Sequence, residues 1–482
     1  MHEPAHRWAF GFGTSPTWEW RPDVALRSHL LPAPLALAYL ALRVLRLDAP
    51  FALSRLAPAC VYGAFAAAAD LAAGALADAH FGGGLRCEAG DWALAASLAS
   101  WLNAYAGGRA LPGAVEAPLC AWAAVLLGRR RAPAALGLAA LAVAVRPTAA
   151  LMLLPAWWHG DVAARGLRGA LPPALLAAAA ASAALCACES WLYGRYAFPP
   201  LAFLRFNLLS GGAAAFGLHA WHWYATSGVP QALFTLLPAV AARAADAPVA
   251  LSTIFAVPLA ALSLCGHKEL RFVQAAMPPM LALAGESAKR WRRAWRPRAF
   301  AATATAVCLS QAALALYLGN AHQIGQATVV SRVLAPMAAR GALPDGVHFL
   351  TACHSSPGMA AVHAADVPLR LLDCSPPVPW AESGPPAPPA PHAHEHEDAR
   401  FFAAPLAYLC AEYGRPPALG RWLWRPHTPL PSAFVVPGGE VEDAVASWMA
   451  GAGYERCAVE FNAHLGVDSR ERPGEIALYC RI

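Results

Sequence analysis

The stretch His267-Lys268-Glu269-Leu270-Arg271-Phe272 decides the reading of this chain. It is a polar word between two apolar runs, residues 247–265 and 272–285, neither of which carries a charge. Four ionisable side chains at such a boundary are costly unless they face protein, water or a polar ligand. A cluster of His, Lys, Glu and Arg suits an anionic group such as a phosphate. An interfacial loop whose charges only snorkel to water is the plainer alternative.

Composition supports a membrane boundary there. The 482 residues are 58% hydrophobic and 14% charged, with a mean hydropathy of +0.40; a soluble domain carries about 25% charged residues. The chain reads as an all-α polytopic membrane protein, its abundant alanine favouring helices over a β-barrel. The net charge of +6 sits in clusters between apolar runs, a topology signal and not a nucleic-acid surface. Spanning segments are predicted at 30–47, 56–79, 91–107, 114–128, 133–157, 170–188, 229–244, 247–265, 271–286 and 300–319, by the length that a bilayer demands.

The basic run Lys289-Arg290-Trp291-Arg292-Arg293 anchors the topology as cytosolic. Counting from it, residues 1–29, 195–228, the His267 word and 320–482 fall on the lumenal side. Arg129-Arg130-Arg131 disagrees with that count, so one span between 91 and 157 is re-entrant or the charge rule fails there. Residues 320–482 read as a small lumenal α/β region with a Pro-rich, extended insert at 375–397. His392, His394 and His396 in that insert read as a solvated tract in preference to a metal site. Of the twelve cysteines, Cys353, Cys374, Cys410, Cys457 and Cys480 are positioned to form disulfides if that region is lumenal; their odd number leaves one free or paired elsewhere, with Cys87 as a partner.

Three polar segments converge on the lumenal face by this count. The first contains Glu3, Trp18, Glu19 and Arg27; the second Glu189, Trp221 and His222; the third is the His267 word. Aromatic faces interleaved with carboxylates and His suit sugar rings; an interfacial aromatic belt is the other reading. Within the spans, Asp70 and Arg146 are functional candidates by default, or a structural ion pair with one another. Asp78 reads as the end of its helix. The chain has no Walker loop, no G-x-S-x-G, no HExxH, no paired C-x-x-C and no Asp-x-Asp. A glycosyltransferase with this inventory points to a lipid-linked sugar donor and not a nucleotide sugar.

The His267 word opening an apolar helix with Met277-Pro278-Pro279 resembles the signature of the polytopic endoplasmic-reticulum mannosyltransferases of glycosyltransferase family 22, the GT-C fold group. Glu3-Pro4-Ala5-His6, Phe10-Gly11-Phe12-Gly13 and Thr17-Trp18-Glu19-Trp20 resemble that family's first lumenal loop. Trp221-His222-Trp223-Tyr224, Cys353-His354-Ser355-Ser356-Pro357 and Leu372-Asp373-Cys374-Ser375-Pro376 resemble one branch, the third mannosyltransferase of glycosylphosphatidylinositol (GPI) anchor assembly. The resemblance implies inverting transfer of the third, α-1,2-linked mannose from dolichyl-phosphate mannose to a glycolipid acceptor, with no metal and no cofactor. It implies His267, Lys268 and Arg271 near the donor phosphate, Glu269 orienting them, and Trp18, Glu19 and His222 on sugar or acceptor. In that family an apolar helix and an Asp-Glu element precede the segment matched here by Glu3; they are expected ahead of Met1, which leaves Glu3 as the nearest acidic candidate for the base. Transfer to a lipid-linked N-glycan precursor, or an inactive membrane scaffold, are the competing implications. No protein partner is legible.

Overall fold

The computed structural model describes residues 1–14, 17–382, 394–416, 424, 426–464 and 474–482. Its first two thirds are helical. The helices are α1 (His2–Phe10), α2 (Ala33–Leu45), α3 (Ala57–Phe81), α4 (Glu88–Ala99), α5 (Trp101–Gly107), α6 (Pro112–Gly128), α7 (Ala132–Val145), α8 (Ala150–Trp157) and α9 (Ala163–Tyr193), followed by α10 (Val249–Leu264), α11 (Met277–Ala294) and α12 (Pro297–Asn320).

Ten uninterrupted spans are not what forms. Among the described residues four segments are long and apolar enough to cross a membrane: Ala52–Phe81, Pro147–Tyr193, Tyr224–Ala244 and Pro297–Asn320. The pair α5 and α6, bent by 117°, makes a fifth if counted as one span. The reason lies in proline and glycine. Pro147 opens a short 3-10 turn between α7 and α8, and Gly166, at φ 68°, kinks the segment that becomes α9. A proline removes one backbone donor and crowds the preceding turn, and an interior glycine tolerates the left-handed backbone of a break. The predicted spans at 30–47, 133–157 and 247–265 survive as the shorter apolar helices α2, α7 and α10. The chain is a multi-pass membrane protein.

Small residues set the packing. At Gly285 of α11 an added Cβ would lie 2.3 Å from the carbonyl oxygen of Ala89 on α4, so only glycine allows these two backbones to approach so closely. Asp78 closes α3 onto α4: its Oδ1 accepts the Cys87 N–H at 2.8 Å, satisfying an orphan donor at the start of α4. Arg146 does not pair with Asp70. Its guanidinium donates to Glu116 Oε2 at 2.9 Å, while Asp70 Oδ1 accepts from Ser97 Oγ at 2.5 Å and Asn103 Nδ2 at 3.4 Å. The turn at Pro147 brings Arg146 against α6 and away from α3, a neighbour relation that no local pattern announces.

The C-terminal region is a five-stranded mixed sheet in the order β2-β1-β3-β5-β4, with β1 (Val347–Phe349), β2 (Leu369–Leu371), β3 (Ala433–Pro437), β4 (Tyr454–Phe461) and β5 (Glu475–Arg481). β1 pairs parallel with β2 and β3, and β5 pairs antiparallel with β3 and β4. Along β3 the side chains alternate between two cores. Phe434 and Val436 join Tyr413 and Trp448 on one face; Ala433 and Val435 join Val329 and Leu478 on the other. That period of two, with both faces covered, is the α/β layering expected of 320–482. Two disulfides form among the described residues, Cys353–Cys374 and Cys457–Cys480. Cys410 and Cys87 remain thiols. His392 and the middle of the Pro-rich insert lie outside the described residues.

Candidate active site

The His267 word folds as an extended turn leading into a 3-10 segment, Leu270–Ala276, ahead of α11. Glu269 is its centre. Its Oε1 accepts from His267 Nε2 at 2.9 Å and from Arg271 at 2.5 Å. The other His267 nitrogen faces the Gly217 carbonyl at 3.2 Å, so both ring nitrogens face acceptors. Burial alone would raise the Glu269 carboxyl, but the bonds from His267 and Arg271 and the Arg271 charge outweigh it and bring the pKa down to about 2. Arg271 keeps 49% of its side chain exposed. It is a cation oriented on one side and open on the other.

Lys268 turns the opposite way. It is 2% exposed, and its ammonium donates to the His219 carbonyl at 3.1 Å and to the Cys265 carbonyl. Burial pushes its pKa below the usual lysine range. With the bond from His219 N–H to Gly266 O at 2.9 Å, these contacts stitch segment 217–223 to the His267 word. The expected phosphate contact of Lys268 is therefore corrected to a brace inside the loop, because its ammonium is buried and spent on two backbone carbonyls.

The first loop reaches the same place through aromatic rings. Trp18, 5% exposed, packs on Phe206 at 5.0 Å and stacks on Phe216 at 6.1 Å. Phe216 in turn meets His267 at 6.0 Å and His396 at 5.4 Å. All three polar segments are joined through Phe216, which the sequence reading passed over as one more aromatic. Trp18 is a buried wall of this assembly and does not present a free ring face. His222 stays apart: it is exposed and bonds within its own turn to Thr226 at 3.2 Å, beside Trp221, which is 73% exposed.

The two acidic residues of the first loop differ. Both oxygens of Glu3 are occupied: Oε2 accepts from Thr14 at 2.8 Å and from Met359 N–H at 3.1 Å, and Oε1 from Ala360 N–H at 3.3 Å. Glu3 thus docks α1 onto the one-turn helix Met359–Val362 of the C-terminal region. Glu19 takes both of its bonds from Arg27 on Oε1, at 2.9 and 2.5 Å. Among the described residues no donor is recorded at its Oε2. Burial would raise the Glu19 carboxyl, but the Arg27 guanidinium holds it below its ordinary value. Glu19, not Glu3, is the loop carboxylate with an oxygen left to offer.

The C-terminal region also contributes. His354 follows the half-cystine Cys353, whose N–H is held by Asp398 at 2.9 Å. Burial keeps the His354 imidazole below its usual range, while Glu19 pulls it up and Arg271 pushes it down. His396 Nε2–H donates to the Ala215 carbonyl at 3.2 Å. The only group of potential metal ligands found among the described residues is Cys353, Cys374 and Asp398, and the two cysteines are joined to one another.

Comparison with known proteins gives the family and the fold. Residues 1–363 match the profile of the Alg9-like mannosyltransferase family. The chain is 28% identical over 455 residues to mannosyltransferase APTG1 of Arabidopsis thaliana, covering 86% of this chain and 78% of that protein. It is 30% identical over 419 residues to GPI mannosyltransferase 3 of Schizosaccharomyces pombe, covering 78% of each. Against GPI alpha-1,2-mannosyltransferase 3 of Mus musculus the figures are 28% over 497 residues, 98% and 84%. Two crystal structures of ArnT from Cupriavidus metallidurans share the fold at 11% identity, covering 100% of this chain and 92% of theirs. The apo form has a TM-score of 0.53; the form bound to undecaprenyl phosphate has 0.56. The fold is that of the GT-C glycosyltransferases.

Proposed function

The chain belongs to the Alg9-like mannosyltransferase family, and on that premise we propose that it transfers mannose from dolichyl-phosphate mannose to a GPI-anchor precursor in the endoplasmic reticulum membrane. The bond formed is the α-1,2 link of the third mannose, made with inversion. The GPI names of the relatives support the acceptor. The observation that carries the chemistry is the pairing of a half-exposed cation, Arg271, with the Glu19 carboxylate, whose Oε2 meets no donor among the described residues; both act on the His354 imidazole.

In this reading Arg271 meets the donor phosphate, and Glu269, bonded to both His267 and Arg271, holds it in place. Positive charge aimed at the departing phosphate stabilises the transition state where charge develops. Glu19 Oε2 accepts a hydrogen bond from a sugar hydroxyl. Its depressed pKa makes it a positioning acceptor more than a strong base. Glu3 holds loop 1 to the C-terminal region. Two disulfides suit the oxidising lumen. The donor brings its own leaving phosphate, so this reading assigns no cofactor beyond the two lipid-linked substrates.

Expression in cells lacking the third GPI mannosyltransferase tests it. The two-mannose intermediate is expected to disappear and surface GPI proteins to return; Glu19→Gln is expected to restore neither. Persistence of that intermediate with the unaltered chain stably present in the membrane would overturn the acceptor assignment.

A further inference from the structure

We infer that Glu189, together with Tyr193, is a positioning clamp for the Glu19 carboxylate; this rests on the transfer reading above. Glu189 stands near the end of α9. In that helix of 31 residues only Ala170, Glu189 and Tyr193 are buried. A carboxylate with no exposure at all is costly unless its oxygens are hydrogen-bonded. Those of Glu189 are. Oε1 accepts from Ser28 Oγ at 2.7 Å and from the His29 N–H at 2.9 Å, and Oε2 meets His29 Nδ1 at 2.6 Å.

Tyr193, one helical turn on and so on the same face, donates to the Arg27 carbonyl at 2.7 Å. The His29 ring is further held by Trp8, stacked at 4.8 Å, and by Tyr193 at 4.3 Å. Residues 27–29 are therefore gripped at three successive positions by two side chains of one helix. The Arg27 side chain then carries Glu19. A single arginine holds a carboxylate in place only if its own backbone is fixed, and a displacement of about 1 Å at a reacting group costs roughly 100-fold in rate. The clamp touches no substrate; it sets where Glu19 Oε2 points.

The groups facing His29 are Glu189 and Tyr193 from α9, Ser28 and Arg27 with its partner Glu19 from the loop, and the uncharged rings of Trp8 and Trp20. This permits a readout other than activity. In Glu189→Gln the amide oxygen replaces Oε1, but the amide nitrogen faces His29 Nδ1 and must donate. His29 can then only accept there, so the variant reverses the donor of this buried bond and loosens the grip on residues 27–29.

The experiment is a cycle of Glu189→Gln, Tyr193→Phe and Glu19→Gln in the full chain in detergent, reading transfer, melting and hydrogen exchange together. Expected are a fall in kcat of about tenfold or more for each clamp variant near pH 7.5, with little change in melting there, and no further fall when either is added to Glu19→Gln. Protection of the residue 27–29 amides from hydrogen exchange is expected to fall in both clamp variants relative to the wild type. Full kcat in both clamp variants, or losses that multiply with Glu19→Gln, would overturn the clamp. If the wild type transfers nothing to the GPI precursor, the function assignment fails and the clamp is still judged by hydrogen exchange at residues 27–29, where parity of both clamp variants with the wild type overturns it.

Discussion

The two ends of α11 carry clusters built from the same side chains to opposite effect. The helix is 18 residues long, about 27 Å; one cluster precedes it and the other occupies its second half. At the far end every carboxylate oxygen is answered: Glu88 receives Arg292 and Arg293 at 2.8 and 2.9 Å, and Glu286 receives Lys289 and Arg290, each at 2.8 Å. At the near end Glu269 uses one oxygen to hold both His267 and Arg271; the arginines of both clusters are about half exposed or more, so the difference lies in the carboxylates. A saturated cluster anchors a helix at a membrane surface; an unsaturated one has bonds left for a substrate. The comparison teaches that residual hydrogen-bonding capacity separates a site from an anchor where charge count does not.

The largest expected effect comes from Arg271→Ala. Transfer should fall by roughly 100-fold or more, well beyond any loss of folded protein, since Glu269 keeps its bond from His267. Wild-type turnover in that variant would remove the near cluster from the chemistry. Lys268→Met comes next and should look different. The His219 and Cys265 carbonyls lose their donor, so stability falls by about 1–3 kcal/mol, and activity is lost in step with folded protein. Loss of activity at unchanged melting would return Lys268 to the phosphate.

Acid titration sharpens the contrast further. The Glu269 carboxyl is depressed from 4.5 to about 2, so its contribution is complete above about pH 4.5 and declines as pH falls towards 2, by up to about 3 kcal/mol. Melting curves between pH 6 and 2.5 should show this loss in the wild type and a smaller one in Glu269→Gln. The smallest effect is reserved for the far end. Arg292→Ala with Arg293→Ala removes exposed pairs worth about 1 kcal/mol or less and should leave transfer within about twofold. A large loss there would mean that the anchor also serves the site.

Much of this was legible from local pattern. The His267 word, the apolar runs and the cysteines of the C-terminal region each carry their signal within a few residues. Arg146 with Glu116 was not legible, because the pairing depends on which helices are neighbours after the turn at Pro147. The orientation of Lys268 was hidden too: adjacent residues of an extended turn point to opposite sides, and the sequence does not say which side is open. Glu3 and Glu19 are equal as letters, and only the donors around them differ. Glu189 appeared as one polar residue near a helix end, with no sign of the loop folded onto it.

By itself, then, the sequence determined that this is a helical membrane protein with a separate α/β region and a polar motif at a membrane boundary. Composition, periodicity and spacing are local quantities, and the cost of placing charge in a bilayer is paid segment by segment. Only the tertiary structure decided which charges are saturated and which are open, because that depends on donors brought from 160 positions away, as with Glu189 and His29, and hydrogen bonds are settled by distance in space.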